Sequence, residues 1–416
     1  MTKTNDSSVL TQYGDSKEKY ISFSLCSLLF IPSLNNFVSC ILQIGLSIDF
    51  QFLTPIMYIF MAMCNVLFLY GCIFKHKLLF AFSVIILLGC ILSYFIYPEI
   101  RSSLYGSPID LVYAPLNKVF YFCIPAMIGI ANISRYDLLF KSIKSWARVT
   151  VAVGIFTYMF VCLIKGESLQ YMVYSYHMLI SICACFMDCE YKRKGDFILA
   201  LFGSACILAC GARGAVVSLL LFLCVLCFST INRKMSRRSI LLIVVQVVLL
   251  LICVFFFERI VAFVISFFEQ NGIESRFLNS LVNGSLFEGS GRENISDAII
   301  RSIKNNPFGY GFFGDRYATL HFGIGKVYYA HNLILELLCD FGIVVGLLIL
   351  LGFTFRLLKI MYYNRGSYIN KTIVVLLPYG VFQLMFSSSY LECAPFFMIV
   401  GILFFSKQIK RIKYRR

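Results

Sequence analysis

Apolar stretches close to the length of a bilayer core recur along almost the whole chain. They lie at 21–42, 52–73, 78–97, 113–131, 145–164, 170–188, 197–211, 213–229, 239–257, 331–358, 371–387 and 390–405. A helix needs about 20 mainly apolar residues to cross roughly 30 Å of hydrocarbon. The pattern therefore predicts an all-α integral membrane protein with about twelve transmembrane helices. Polar stretches between the runs are short, except for 258–330, between the ninth and tenth. The chain divides into a polar N-terminal tail (1–20), helices one to nine (21–257), the long segment (258–330), helices ten to twelve (331–405) and a basic tail (406–416). The tail 1–20 lacks the basic start, short apolar core and small-residue cleavage site of a signal peptide, so the first run is expected to stay as an anchor.

The stretch 197–229 reads either as one overlong helix or as two short ones, and basic residues separate the two readings. Lys and Arg stay preferentially in cytoplasmic loops. With the N-terminus cytoplasmic, KHK at 75–77, KSIK at 141–144, YKRKG at 191–195, NRKMSRR at 232–238 and the tail KQIKRIKYRR all fall inside, provided that 197–229 crosses twice. Both termini are then cytoplasmic and 258–330 is external. The reversal falls at Gly211-Ala212-Arg213-Gly214, on the outer side. Arg213 is there either a snorkelling helix-end arginine or a cation lining a site for an anionic substrate.

Composition agrees with this reading. The chain is 59% hydrophobic and 14% charged, against about 25% charged in soluble domains. Its net charge of +16 sits at the ends of apolar runs, which argues against nucleic acid as a partner. The 17 cysteines lie almost wholly within apolar runs, and no Cys/His cluster has zinc spacing.

The external segment is balanced, with seven Lys or Arg and seven Asp or Glu in 258–330. Anion binding there must come from particular residues. Ser290-Gly291-Arg292-Glu293 fits a capping box. Ile295, Ala298, Ile299 and Ile303 follow as a helical stripe, and Asn305-Asn306-Pro307 ends it. Arg292 thus falls in a helix first turn, where free N–H groups and the helix dipole favour anions. It serves either as a phosphate ligand or as a surface partner of Glu288 or Glu293. Arg301 lies further along the same helix. Pro307 to Gly314 (PFGYGFFG) reads as a compact aromatic turn. A nucleotide loop is excluded, because no strand precedes it and no Gly-Lys-Ser/Thr follows.

The tenth run opens with His331 and Asn332 and carries Glu336 and Asp340 inside it. Residues 332, 336 and 340 share one helix face, which is expected to face the bundle interior or a wet cavity. Gly342 and Gly346, four apart, are expected to admit a neighbouring helix. His331, with an ordinary pKa near 6.5, is either an interfacial hydrogen-bonding group or a general base, with Glu336 as the candidate to orient it. Arg213, Arg292 and His331 come from separate segments and share one side of the membrane. Two cations and a base suit a phosphorylated donor and a hydroxyl acceptor.

These segments resemble the O-antigen polymerase and O-antigen ligase superfamily, which includes the Wzy-type polymerases and the lipid A-core ligases. The likeness runs from about 197 to 351 and rests on ARGA at 212–215, the Gly-Arg helix at 291–304, NNPFGYGFFGD at 305–315 and AHNLILELLCDFGIVVG at 330–346. The chain has Ala212 where the family often has serine, and Ser296 or Asp297 where it often has tryptophan. The resemblance implies a GT-C-like glycosyltransferase of the bacterial cytoplasmic (inner) membrane, with its active site facing outward. It implies an undecaprenyl-pyrophosphate-linked oligosaccharide as donor, held by Arg213 and Arg292, with Asn332 and Arg301 as further substrate ligands. His331 would deprotonate the acceptor, with Glu336 behind it and inversion at the anomeric carbon. No metal and no cofactor are expected. The implied partners are the lipid-linked glycan, the bilayer and a chain-length regulator protein. A polymerase is the first expectation and a ligase acting on lipid A-core or protein the second. A flippase or transporter is the alternative of another class. It is disfavoured because no internal repeat is visible and the long segment lies outside, between the ninth and tenth runs.

Overall fold

The computed structural model describes residues 5–46, 65, 69, 70, 72, 73, 76–97, 115–167, 169–187, 194–210, 212–230, 266, 292–323 and 328–406; the side chains of 5–15, 46, 94, 194, 213 and 227–230 are outside that description. All regular structure among the described residues is helical. We number the helices α1 (Asn5–Leu46), α2 (Lys77–Ile96), α3 (115–132), α4 (Tyr136–Ile164), α5 (Tyr171–Phe186), α6 (Lys194–Cys210), α7 (Arg213–Thr230), α8 (Arg292–Asn305), α9 (Gly314–His321), α10 (Leu333–Tyr363), α11 (Tyr368–Leu377, continued by shorter turns to Met385) and α12 (Ala394–Phe405). The expected spans at 52–73 and 239–257 and the cap at Ser290 fall largely or wholly outside the described residues.

The protein is membrane-embedded. Stretches of α1, α4 and α10 are long and apolar enough to cross a bilayer, and α2, α5, α6, α7 and α12 contain shorter apolar helices. Large side chains such as Ile96, Phe156, Leu348 and Phe355 stay exposed, as suits contact with lipid rather than water. The first helix does not begin at the apolar run but continues from the polar residues before it.

Helices α1, α4, α5 and α6 pack side by side. Gly154 lies against the Met178 side chain, and its carbonyl oxygen accepts from the Tyr174 hydroxyl at 2.8 Å. Arg148 and Lys144 of α4 clasp Asp196 of α6 at 2.7 and 3.4 Å. The stretch 197–229 is two helices, α6 ending at Cys210 and α7 starting at Arg213. Both pack on α5.

Helix α10 departs from the sequence expectation of one continuous span. Gly342 has φ 78° and ψ 170°, which breaks it in two. A methyl group at Gly346 would meet the Leu337 carbonyl oxygen at 2.8 Å. In a straight helix those residues lie about 13 Å apart along the axis, so the chain doubles back at Gly342. The second half, 343–363, is about 31 Å long at 1.5 Å per residue, enough for a crossing. The first half packs on α8 and α9, in a small core of Ile295, Ile299, Ile303, Ala318 and Cys339.

The glycine-aromatic turn fills the break. Pro307 offers its carbonyl oxygen to the Ile343 N–H at 2.9 Å. The N–H groups of Tyr310 and Gly311 donate to the carbonyl oxygens of Cys339 and Asp340 at 2.9 and 2.8 Å. The turn therefore satisfies backbone groups that a helix break would leave unpaired. The glycine at 342 admits this loop, and Gly346 admits the folded-back first half. Among the described residues, the atoms nearest to a methyl group at either glycine belong to this loop and to the first half of α10, not to a neighbouring helix.

Candidate active site

Helix α8 spans Arg292–Asn305 among the described residues, with Arg292 in its first turn, and buries Ile295, Ala298, Ile299 and Ile303. Its start is turned toward the loop after α11, where the Arg292 guanidinium donates to the Phe386 carbonyl oxygen at 2.7 Å. Phe386 also bounds the start of α7: a methyl group at Gly214 would stand 3.3 Å from the Phe386 Cβ and would collide with the Tyr176 hydroxyl. Arg213, the first residue of α7, is adjacent. The starts of α7 and α8 therefore converge on Phe386, with Tyr176 against the first and within electrostatic reach of Arg292.

His331 completes the group. It takes φ 54°, a left-handed backbone that a branched L side chain seldom adopts. Its ring packs on Tyr329 at 4.0 Å between centroids. Its Nδ1 is buried and has no hydrogen-bond partner. Burial pushes the His331 pKa down to about 4, and the nearby Arg292 charge adds to this. The ring is thus neutral at pH 7, with a polar atom held for something the protein does not supply.

Three candidate residues stand differently from the expectation. Glu336 does not orient His331. It is fully buried and accepts from the Ser389 hydroxyl and, at 3.2 Å, from the Tyr390 N–H. Asn332 is the N-cap of α10, its side-chain oxygen accepting from Ile334 and Leu335 at 2.9 and 3.2 Å, so only its amide NH2 is left for a substrate. Arg301 is exposed and lies about 13 Å along α8 from Arg292, away from the site.

Sequence reading missed the group that fixes His331 in place. Asp315 accepts from the Ala330 N–H at 2.9 Å, the residue before His331. Its other oxygen takes Arg316 at 2.9 Å. Arg316 is 3% exposed and also meets Glu392 at 3.2 Å and Glu336 at 3.8 Å. Burial works to lower its pKa, and the carboxylates of Asp315, Glu392 and Glu336 outweigh this and raise it. Lys118 closes the chain on Glu392 at 2.6 Å. Asp340 accepts from the Gly314 N–H at 3.0 Å and the Tyr390 hydroxyl at 2.8 Å. The polar stripe on α10 thus serves this network. The signal in the sequence was Asp315-Arg316, which directly follows the glycine-aromatic run.

Every non-glycine residue with positive φ among the described residues lies at this site or its support: Phe313, His331 and Ser388. Such backbones cost of order 1–3 kcal/mol each and cluster where function constrains the chain.

Residues 198–350 match the family model Wzy_C, O-antigen ligase. The match takes in Arg213, Arg292 and His331 together with both halves of the break at Gly342. It places this part of the chain with the O-antigen polymerase and ligase superfamily and supports an enzyme of the ligase or polymerase type. No curated protein and no solved structure matches the chain.

Proposed function

We propose that the protein polymerises oligosaccharide repeat units carried on undecaprenyl pyrophosphate, at the outer face of the cytoplasmic membrane. The observation that carries this reading is the convergence of the α7 start, Arg292 and a neutral His331 with an unpartnered ring nitrogen around Phe386 and Tyr176. Arg213 and Arg292 hold the donor pyrophosphate, since guanidinium groups offer forked donors to phosphate oxygens. The acceptor hydroxyl gives its proton to His331 as its oxygen bonds to the anomeric carbon. The bond from that carbon to the pyrophosphate oxygen breaks, and the leaving group takes the electron pair. Charge building on it is stabilised by the two arginines. Attack opposite the leaving group inverts the anomeric centre.

The pKa of His331 fits a donor-first order. A free-enzyme value near 4 is low for a base at neutral pH. A bound pyrophosphate would offset the Arg292 charge and raise it toward the useful range. Donor binding would thus switch the base on.

Deleting the gene in its host and sizing glycans from both the surface and the lipid carrier tests the reading. Single repeats alone on the final anchor support a polymerase. Full-length polymer accumulating on the carrier would make the protein a ligase. Single repeats trapped on the cytoplasmic leaflet would make it a flippase. Arg213→Ala, Arg292→Ala and His331→Ala should each abolish transfer while the protein still inserts, and normal polymer in all three would sink the proposed site.

A further inference from the structure

A cavity of about 250 Å³ lies within the bundle, beside the Lys118–Glu392 end of the ion-pair network. Its lining mixes polar side chains (Ser33, Lys118, Tyr176, His177, Tyr379 and Glu392) with apolar ones that include Leu29 and Phe30. Tyr176 belongs both to the cavity wall and to the surroundings of Gly214 and Arg292. The cavity therefore ends against the candidate active site.

Its chemistry selects among occupants. Lys118 and Glu392 form a 2.6 Å ion pair, yet their side chains stay 32% and 18% exposed. The pair is thus close to neutral overall and stays partly open to the cavity. Ser33 and His177 add a second polar pair at 3.0 Å. A polyprenyl chain against this wall would desolvate an ion pair and two tyrosines without replacing their hydrogen bonds, which is costly. A free anion would compete with Glu392 for Lys118. An uncharged ring rich in hydroxyls suits this mixed lining: hydroxyls meet Lys118 and Glu392, and its C–H face meets the apolar side chains. The volume is below the roughly 300–1,000 Å³ of sites for drug-sized molecules, so it holds one ring and not a whole repeat unit.

We propose that this cavity is a subsite for one neutral sugar ring of the lipid-linked oligosaccharide, presenting that ring to Arg292 and His331 past Tyr176. The proposal rests on the function inferred above and deepens it. The ring belongs either to the donor or to the acceptor.

The protein carries its own reporter. Its one tryptophan, Trp146, stacks on Phe30 at 6.4 Å between centroids, and Phe30 lines the cavity. The full chain in nanodiscs is titrated with methyl glycosides of the neutral sugars of the host polysaccharide, reading Trp146 fluorescence. A saturable change is expected for at least one glycoside. Ser33→Phe, which fills the cavity, and Lys118→Met, which removes a donor, should each weaken it about tenfold or more. Thermal unfolding midpoints of both variants show whether they fold, and Ser33→Ala is a milder variant expected to shift the affinity in the same direction. No saturable change with any glycoside, or an unchanged affinity in folded Lys118→Met and Ser33→Phe, overturns the subsite.

Transfer assays assign the ring. In Lys118→Met, a KM rise for the acceptor alone places it on the acceptor, and a rise for the donor alone places it on the donor. The two readings fail separately. Intact glycoside binding with normal transfer in Arg292→Ala and His331→Ala overturns the proposed function and leaves a sugar site. Absent glycoside binding with transfer lost in those variants overturns only the subsite.

Discussion

At the scale of the residue, His331 and Arg316 illustrate two uses of burial. His331 is kept neutral by burial and by Arg292. Its folded pKa of about 4 lies below the ordinary 6.5, so the unfolded chain takes up the proton first as pH falls. Stability is therefore lost between about pH 6.5 and 4 and is regained as pH rises through that window. Labelled-histidine NMR, with the His331 signal assigned by its loss in His331→Asn, should show that ring titrating near pH 4. Arg292→Gln should move it upward, and inorganic pyrophosphate should do the same in the unmodified protein. A His331 titration near 6.5 in the free protein would remove the donor-first order. Arg316 is kept charged by the acidic groups around it, of which Asp315 and Glu392 touch it at 2.9 and 3.2 Å. Removing one partner of a buried ion pair strands the others, at about 3–5 kcal/mol. Arg316→Ala should therefore lower the unfolding midpoint steeply in detergent. Arg301→Ala, on the exposed side of α8, should change stability by no more than about 0.5 kcal/mol. Equal midpoints for the two variants would contradict the network. The sequence pointed to Arg292 and His331, because helix starts and isolated polar residues have local signatures. It did not point to Arg316 or to the Phe386 carbonyl, because their partners are up to 94 residues away in the chain and no local pattern encodes such contacts.

At the scale of the element, the break in α10 is where sequence reading and structure part. The apolar run, the polar stripe and the glycines at 342 and 346 all fit a continuous membrane helix with a close neighbour. What defeats that reading is a loop 30 residues earlier that supplies Pro307, Tyr310 and Gly311 as backbone partners. Periodicity cannot show a break whose cost is met by another segment. By contrast, α8 was legible to within a residue or two, since its stripe, acidic first turn and following proline all lie within the helix or beside it. Gly342 holds φ 78°, and a methyl group there would lie 2.6 Å from the Pro307 carbonyl oxygen. Gly342→Ala should thus pay both strain and a clash, of order 1–3 kcal/mol, and displace the turn at 307–311. Since the same turn and α9 lead to Asp315, which holds Ala330, transfer should fall with it. Measuring unfolding midpoint and transfer together checks this. A variant with both unchanged would mean that the doubled-back geometry is not what the protein uses.

At the scale of the whole molecule, the bend changes the depth in a bilayer that hydropathy alone would give the charged residues of α10. Read as one span, 331–358 would carry Glu336 and Asp340 progressively deeper into hydrocarbon, where ionisable groups are costly. With the chain doubled back at Gly342, they lie instead in the half of α10 that packs on α8 and α9, and 343–363 is by itself long enough for a crossing. That half is exposed at Val344, Leu348, Leu351 and Phe355, as a lipid-facing surface would be. The general membrane character and the two-helix reading of 197–229 followed from hydropathy and basic residues. The change of direction at Gly342 did not, because hydropathy is blind to it. Single cysteines in a background without the native ones test which side of the membrane the first half of α10 faces and whether the second half lies in lipid. Ile334→Cys, at a position 39% exposed, should react with a membrane-impermeant maleimide added from the outer side. Leu348→Cys, at a position 65% exposed, should not react, because its surroundings are lipid. A continuous span predicts a graded loss of labelling from 333 onward, with positions 337 to 341 already protected by lipid. Labelling of Ile334→Cys only from the cytoplasmic side would invert the orientation and move the proposed chemistry to the other face of the membrane.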